Sequence, residues 1–200
     1  MNRQWLRTVR VTAVLLIFGL AGYYAGEYFR SRPYDSGTSQ QTLVEQLPEF
    51  SLADIDGRQR QISEWRGRTL VINFWATWCA PCRREMPLLQ ALQDERADRG
   101  LQVIGIAVDR APDVRAYAVE TGITYPILVG QQDAMNAAEL FGPEFTALPF
   151  TLFITGDGQV LGRHLGELDL DELRQILGWL DQVAAGDLSL PEGRRLMLGK

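Results

Sequence analysis

Cys79 and Cys82 are the two cysteines of this 200-residue chain, and only two residues separate them. A short apolar run from Leu70 to Phe74 precedes them and predicts a buried β-strand. After Cys82, apolar residues recur every three or four positions, which predicts an amphipathic helix. Cys79 is therefore expected at the point where a strand ends and a helix begins.

That position has a chemical consequence for the Cys79 thiol. The N-terminus of a helix carries unpaired N–H groups and a partial positive charge, which favour an anion such as a thiolate. In Cys-x-x-Cys pairs the thiol pKa falls into the range of roughly 3.5–7.5. Cys82, one turn further on, could attack a mixed disulfide formed at Cys79. The pair is thus predicted to work as a dithiol–disulfide couple, and Pro81 is tolerated in a first helical turn.

Two simpler interpretations of the cysteine pair are a structural disulfide and a metal site. A disulfide that closes so short a loop would constrain little of the unfolded chain. A structural zinc site needs about four ligands, whereas the chain offers two cysteines and one histidine, His164. Redox use of the pair is the favoured hypothesis.

The segment Phe74-Trp75-Ala76-Thr77-Trp78-Cys79-Ala80-Pro81-Cys82 resembles the active site of thioredoxin-fold thiol–disulfide oxidoreductases. More narrowly, it resembles the membrane-anchored TlpA/ResA/DsbE-like branch, and the likeness extends over roughly residues 47–180. The resemblance implies an α/β thioredoxin fold with a mixed central sheet flanked by helices, an N-terminal β-hairpin and a central helix-strand insertion. It also implies that Cys79 is the nucleophile and Cys82 the resolving cysteine, with no cofactor beyond their redox-active disulfide.

The resemblance assigns roles to two further catalytic residues. Pro149, in the segment Leu148 to Ile154, matches a cis-proline that faces the cysteines, although it could instead be an ordinary strand-edge proline. Glu85 matches an acidic residue of the ResA-like proteins, although a glutamate early in a helix is often simply solvated. Asn73 stands where thioredoxin has a buried aspartate. Because an amide cannot relay a proton, proton handling for Cys82 would fall to Glu85 or water.

Four residues are expected to contact the substrate: Trp78, Ala80 and Pro81 beside the cysteines, and Leu148 before Pro149. Trp78 is expected to shield the thiol and meet partner proteins, and Ala80 and Pro81 to tune the redox couple. His164 is expected to be structural. An alternative function is copper binding by Cys79, Cys82 and His164, since sulfur and imidazole suit copper. A thiol peroxidase is a weaker alternative.

The first 30 residues predict an N-terminal membrane anchor. Arg3, Arg7 and Arg10 precede an apolar stretch, and residues 8–29 together reach the length of about 20 that a membrane span needs. The basic N-terminus predicts a cytoplasmic start and an exported domain. A signal peptide is the rival interpretation, and both export the domain. Residues 31–45 are expected to form a flexible tether and residues 46–184 the thioredoxin-like domain. Residues 185–200, which proline and glycines punctuate, are expected to form a loose tail.

Within the domain, Pro48 to Arg58 predicts a hairpin closed by Asp-Gly, and residues 101–108 a strand parallel to the first one. The predicted insertion is a helix over 112–121 and a strand over 125–129. Asp133 is expected to cap a helix through Phe141. A hairpin over 150–154 and 159–164 then precedes a helix from Asp169 to about Val183.

The charge distribution restricts the possible partners. Residues 1–45 carry five arginines against three acidic residues, whereas residues 46–200 carry 15 basic against 22 acidic residues. So acidic a domain is a poor nucleic-acid binder. The resemblance instead implies protein thiol or disulfide substrates such as apocytochrome c, and a membrane electron donor of the DsbD/CcdA type. It places a single-pass protein in a bacterial inner membrane with its domain in the periplasm. The direction of electron flow stays open.

Overall fold

A computed structural model describes Leu20, Tyr23, Tyr24 and residues 44–142 and 145–199. Most of the predicted anchor and tether lies outside these residues, so those two predictions stay predictions. Leu20, Tyr23 and Tyr24 are helical and exposed. Within the described part of the chain, no helix combines the length and the apolar character that a membrane crossing requires.

Residues 41–200 form one compact unit around a seven-stranded sheet with the order β2-β1-β5-β4-β3-β6-β7. The strands are β1 (Ser51–Asp54), β2 (Gln59–Gln61), β3 (Thr69–Trp75), β4 (Leu101–Val108), β5 (Ile127–Gly130), β6 (Phe150–Ile154) and β7 (Val160–Leu165). The helices are α1 (Ala80–Arg96), α2 (Ala111–Thr121), α3 (Gln132–Glu139), α4 (Leu170–Ala185) and α5 (Leu190–Leu198). Short 3-10 helices span Ile62–Trp65 and Ala97–Arg99.

The sheet is mixed, as predicted. β3, β4 and β5 are parallel, while β6 pairs antiparallel with β3, and β1 with β5. β1 and β2 form the predicted N-terminal hairpin. α2 and β5 form the predicted helix-strand insertion, which extends the parallel part of the sheet. The expected thioredoxin-like architecture is confirmed.

Both faces of the sheet are covered, so β3 is buried on both sides. Val71 and Trp75 face the core built with α1, α2 and α4, whereas Ile72 and Phe74 face the core on the α3 side. Because side chains alternate along a strand, Asn73 must lie on the same face as Val71 and Trp75. The strand therefore directs one polar side chain towards α1.

The loose C-terminal tail was a wrong prediction. Residues 190–198 form α5, which begins at Ser189 with a capping box to Glu192 and ends against β7. The close approach is possible because a glycine faces the helix: a Cβ on Gly162 would lie 2.7 Å from the Met197 side chain. Pro191 fits the first turn of a helix, so the punctuation that suggested a tail marks a helix start.

Asp133 does not cap its helix either. The N-cap is Gln131, and α3 ends at Glu139, two residues before Phe141. Asp133 lies inside the first turn, where a negative charge also complements the helix dipole.

Candidate active site

Cys79 is the N-cap residue of α1, as the sequence predicts. β3 ends at Trp75, a short turn follows, and the Cys79 N–H donates to the Ala76 carbonyl at 3.1 Å. The Cys79 sulfur accepts a hydrogen bond from the Cys82 N–H at 3.3 Å. A sulfur in this place receives one of the free N–H groups of the helix and lies at the positive end of its dipole, and both favour a thiolate.

Cys79 and Cys82 are joined by a disulfide with Cα atoms 5.3 Å apart. Cys79 retains 5% of its surface, whereas Cys82 is completely buried. In the folded protein, therefore, a partner sulfur can reach Cys79 more easily than Cys82. This asymmetry fits the predicted division between an attacking and a resolving cysteine.

The residues predicted to contact substrate differ in exposure; three of them adjoin the cysteines in sequence, and Leu148 directly precedes Pro149. Trp78 is 69% exposed, an unusual fraction for so large an apolar side chain. Ala80 is exposed, and Pro81 and Leu148 are half-buried. Trp78 thus offers an apolar surface immediately beside Cys79.

The Leu148–Pro149 peptide bond is cis, as predicted. Pro149 is buried and directly precedes β6, whose first residue, Phe150, pairs with Phe74 near the end of β3. This register brings Pro149 to the same end of the strands as the turn that carries Cys79. The Pro149 carbonyl accepts a hydrogen bond from the Gly166 N–H at 2.9 Å.

Glu85 is buried, with 1% of its surface exposed, rather than solvated. It lies three residues after Cys82, on the same side of α1. One carboxylate oxygen accepts from Asn73 Nδ2 at 2.7 Å, and the other accepts from the Leu168 N–H at 2.9 Å. Burial raises the pKa of Glu85 to about 7, although both hydrogen bonds act in the opposite direction. A carboxyl group with this pKa can take up or release a proton at neutral pH.

The polar environment of Glu85 extends beyond the sequence-predicted site. Asn73 Nδ2 also donates to Thr151 Oγ1 on β6 at 2.9 Å. Three buried side-chain nitrogen or oxygen atoms in the described part of the chain have no hydrogen-bond partner: Asn73 Oδ1, Trp75 Nε1 and the Tyr125 hydroxyl. Burial raises the pKa of Tyr125, and the Glu85 carboxylate adds to that shift. The sequence signal for Asn73 and Thr151 was a polar residue inside each of two apolar strands, whereas Tyr125 and Leu168 gave none.

His164 contacts residues other than the two cysteines. His164 lies on β7 opposite Thr151, and its Nε2 atom is 4.0 Å from a Glu172 carboxylate oxygen. Across the described ranges, no three His, Cys, Asp or Glu side chains gather in a way that could hold a metal ion. The proposed copper ligand set of Cys79, Cys82 and His164 is therefore not assembled.

The fold is thioredoxin-like, the Cys-x-x-Cys pair lies at the start of a helix, and a cis-proline lies at the same end of the sheet. Together these features define a thiol–disulfide oxidoreductase. The sequence pattern of the AhpC/TSA family matches residues 43–162. The chain belongs to this thioredoxin-like family.

Individual relatives agree with that class. The chain is 29% identical over 180 residues to the thiol-disulfide oxidoreductase ResA of Geobacillus thermodenitrificans, covering 88% of this chain and 97% of the relative. It is 30% identical over 181 residues to the thioredoxin-like protein YneN of Bacillus subtilis, covering 88% and 98%. A solved thiol:disulfide interchange protein of the thioredoxin family from Chlorobium tepidum superimposes with a TM-score of 0.61 and 29% identity, covering 67% of this chain and 94% of that one.

Proposed function

We propose that this oxidoreductase is a membrane-anchored periplasmic reductant of protein disulfides. The observation that carries the proposal is the Cys79–Cys82 pair at the N-terminus of α1, in which only Cys79 is accessible. Glu85, whose pKa is close to neutral, is buried one turn further along the same helix. The export part of the proposal rests on the N-terminal sequence, where three arginines precede an apolar stretch.

The exchange begins from the reduced protein. The Cys79 thiolate attacks one sulfur of the substrate disulfide, so a Cys79–substrate disulfide forms and the second substrate sulfur leaves as a thiolate that takes up a proton. Cys82 then loses its proton and attacks the Cys79 sulfur. The Cys79–Cys82 disulfide forms, the remaining substrate sulfur leaves, and the substrate has gained two electrons and two protons.

Glu85 is the proposed acceptor for the Cys82 proton. Cys82 and Glu85 are three residues apart on α1 and both are buried, and the raised pKa of Glu85 makes its carboxylate a suitable base near neutral pH. The neighbouring Asn73 amide cannot accept that proton, but its hydrogen bond orients the carboxylate. The two sulfurs supply the redox chemistry, so the exchange needs no further cofactor.

The proposed substrates are proteins, since Trp78 offers an exposed apolar surface and the Leu148–Pro149 edge lies at the same end of the sheet. By analogy with the TlpA/ResA/DsbE-like branch that the active-site segment resembles, we include apocytochrome c among the proposed clients. A reductant in an oxidising compartment must be recharged with two electrons, for which we propose a membrane donor of the DsbD/CcdA type.

The decisive experiment is the equilibrium redox potential of the Cys79–Cys82 pair in the full chain. The protein is equilibrated in thiol–disulfide buffers, and the reduced fraction is trapped by alkylation. A value close to about −270 mV supports a reductant, whereas a value close to about −120 mV indicates an oxidant and contradicts the proposal. A Cys82→Ala variant tests the order of steps, because it should accumulate a substrate disulfide at Cys79.

The cellular part of the proposal needs a separate test. The full-length protein should stay with the membrane fraction. Protease added to intact spheroplasts should digest its thioredoxin-like domain. Protection of the domain until the membrane is lysed would place it on the cytoplasmic side and refute the proposed location.

A further inference from the structure

The turn before Cys79 is tied to a carboxylate from the neighbouring strand. Asp109, the first residue after β4, accepts two hydrogen bonds on its Oδ2 atom, from the Thr77 N–H at 3.0 Å and from Thr77 Oγ1 at 2.5 Å. β3 and β4 are parallel neighbours with Trp75 opposite Ala107. The segments that follow these two strands therefore leave the sheet side by side. Thr77 stands two residues before Cys79.

Asp109 is itself held from two other directions. Its Oδ1 atom accepts from the Arg110 N–H at 2.8 Å, at the start of α2. Its own N–H donates to the Gly130 carbonyl at 3.0 Å, at the end of β5. Asp109 is half-buried, its carboxylate is bonded to the start of α2 and its backbone N–H to the end of β5, so it is a fixed point to which Thr77 is attached.

The attachment gains importance when the disulfide is reduced. In the oxidised protein the disulfide itself links Cys79 to the first turn of α1. Once that bond is broken, Cys79 is joined to the first turn of α1 by the Arg83 N–H on its carbonyl at 3.2 Å and the Cys82 N–H on its sulfur at 3.3 Å. The turn before Cys79 is held by the backbone bond from Cys79 to Ala76 and by the two Thr77 bonds to Asp109. We propose that Asp109 is a positioning residue that, through Thr77, keeps the reduced Cys79 sulfur at the N-terminus of α1.

This inference rests on the proposed role of Cys79 as the attacking thiol. Its energetic basis is the interaction between an anion and a helix N-terminus, which weakens when the anion moves away from the first turn. Losing the Thr77 hydroxyl should therefore raise the pKa of the Cys79 thiol and slow its reactions as a thiolate.

The charge of Asp109 acts in the opposite direction. A nearby carboxylate disfavours a thiolate, as do Glu85 on α1 and Glu167 on the loop before α4, the latter being paired with Arg84. Arg83 on α1 and Arg110 before α2 favour it. Two substitutions separate the effects: Thr77→Val removes a hydrogen bond and keeps every charge, whereas Asp109→Asn removes the charge and keeps an acceptor oxygen.

The experiment measures the alkylation rate of reduced Cys79 against pH in the full chain, with the modified cysteine identified by peptide mass. We expect Thr77→Val to raise the Cys79 pKa by roughly half a unit, which slows alkylation about threefold below that pKa. Thr77→Ser restores the hydroxyl and should return the pKa to the wild-type value. Asp109→Asn should shift the pKa downward, and Asp113→Asn is the charge control, because Asp113 lies in the first turn of α2 and pairs with Arg110.

The outcomes are distinct. Equal Cys79 pKa values in Thr77→Val and Thr77→Ser, with circular dichroism showing that both variants are folded, would overturn the positioning role and leave the proposed function intact. Asp109→Ala removes both the charge and the acceptor of the Thr77 bonds, so it should leave the Cys79 pKa above that of Asp109→Asn; equal Cys79 pKa values in these two variants would also overturn the positioning role. Faster alkylation of Cys82 than of Cys79 in the wild type would refute the proposed order of attack, and the positioning role with it.

Discussion

The Glu85 carboxylate and the Asn73 amide are in direct contact, 2.7 Å apart, between α1 and β3. Neither group is exposed to solvent, and the amide nitrogen bridges the carboxylate and the Thr151 hydroxyl. An amide donor in this place orients the carboxylate without offering it a proton acceptor of comparable strength. Glu85 is therefore the titrating group of this buried cluster.

The first prediction concerns stability against pH. The pKa of Glu85 is raised from 4.5 to about 7 in the folded protein, so between these values the folded state binds more protons than the unfolded state. The contribution of Glu85 is thus fully favourable below pH 4.5 and is lost as the pH rises towards 7, by about 3 kcal/mol in total.

Glu85→Gln should remove this pH dependence, because glutamine does not titrate. Urea unfolding of the oxidised protein between pH 4.5 and 8 measures it, with Glu95→Gln as the control at an exposed position of the same helix. If the stability of Glu85→Gln falls over this pH range as much as that of Glu95→Gln, the assignment to Glu85 is contradicted.

The second prediction concerns the resolving step. Without a carboxylate next to Cys82, deprotonation of its thiol must rely on water, so Glu85→Gln should slow release of a preformed Cys79 mixed disulfide by about 10²-fold at neutral pH. The rate of mixed-disulfide breakdown against pH, followed by stopped flow, is the measurement. If the pH profile and the rate match those of the wild type, Glu85 has no part in proton transfer.

Much of this site follows from local sequence rules, and the remainder depends on tertiary packing. The position of Cys79 could be predicted because an apolar β-run and a helical period meet there, and Pro149 through its likeness to a known segment. The burial of Glu85 could not, since it arises where α1 covers β3 and where the Leu168 N–H, distant in sequence, approaches the carboxylate. The link between Thr77 and Asp109 likewise depends on the register of two parallel strands.

The C-terminal helix shows the same distinction. Ser189 and Glu192 form a capping box that a sequence can reveal, and this signal outweighs the glycines that suggested a tail. The docking of this helix on β7 depends on the contact between Gly162 and Met197. No local sequence pattern predicts that contact.

The third prediction concerns partner recognition by Trp78. Its exposed side chain contributes little to packing, so Trp78→Ala should change the free energy of unfolding by less than about 0.5 kcal/mol. As a contact residue it should nevertheless lower the rate with a protein disulfide about tenfold, while the rate with oxidised glutathione falls much less. Equal losses with both substrates would show that Trp78 acts on the Cys79 sulfur rather than on partners.

The last prediction tests whether α5 stabilises the domain. Met197 is 8% exposed and lies against Gly162, whereas its neighbour Leu198 is 60% exposed. Met197→Ala removes buried methylene and methyl groups and leaves a gap over β7, so it should cost about 2 kcal/mol in the free energy of unfolding. Leu198→Ala, a change of similar size on the same helical turn, should cost less than about 0.5 kcal/mol. Urea unfolding of the two variants distinguishes a docked helix from a loose tail, since a loose tail would give equally small effects at both positions.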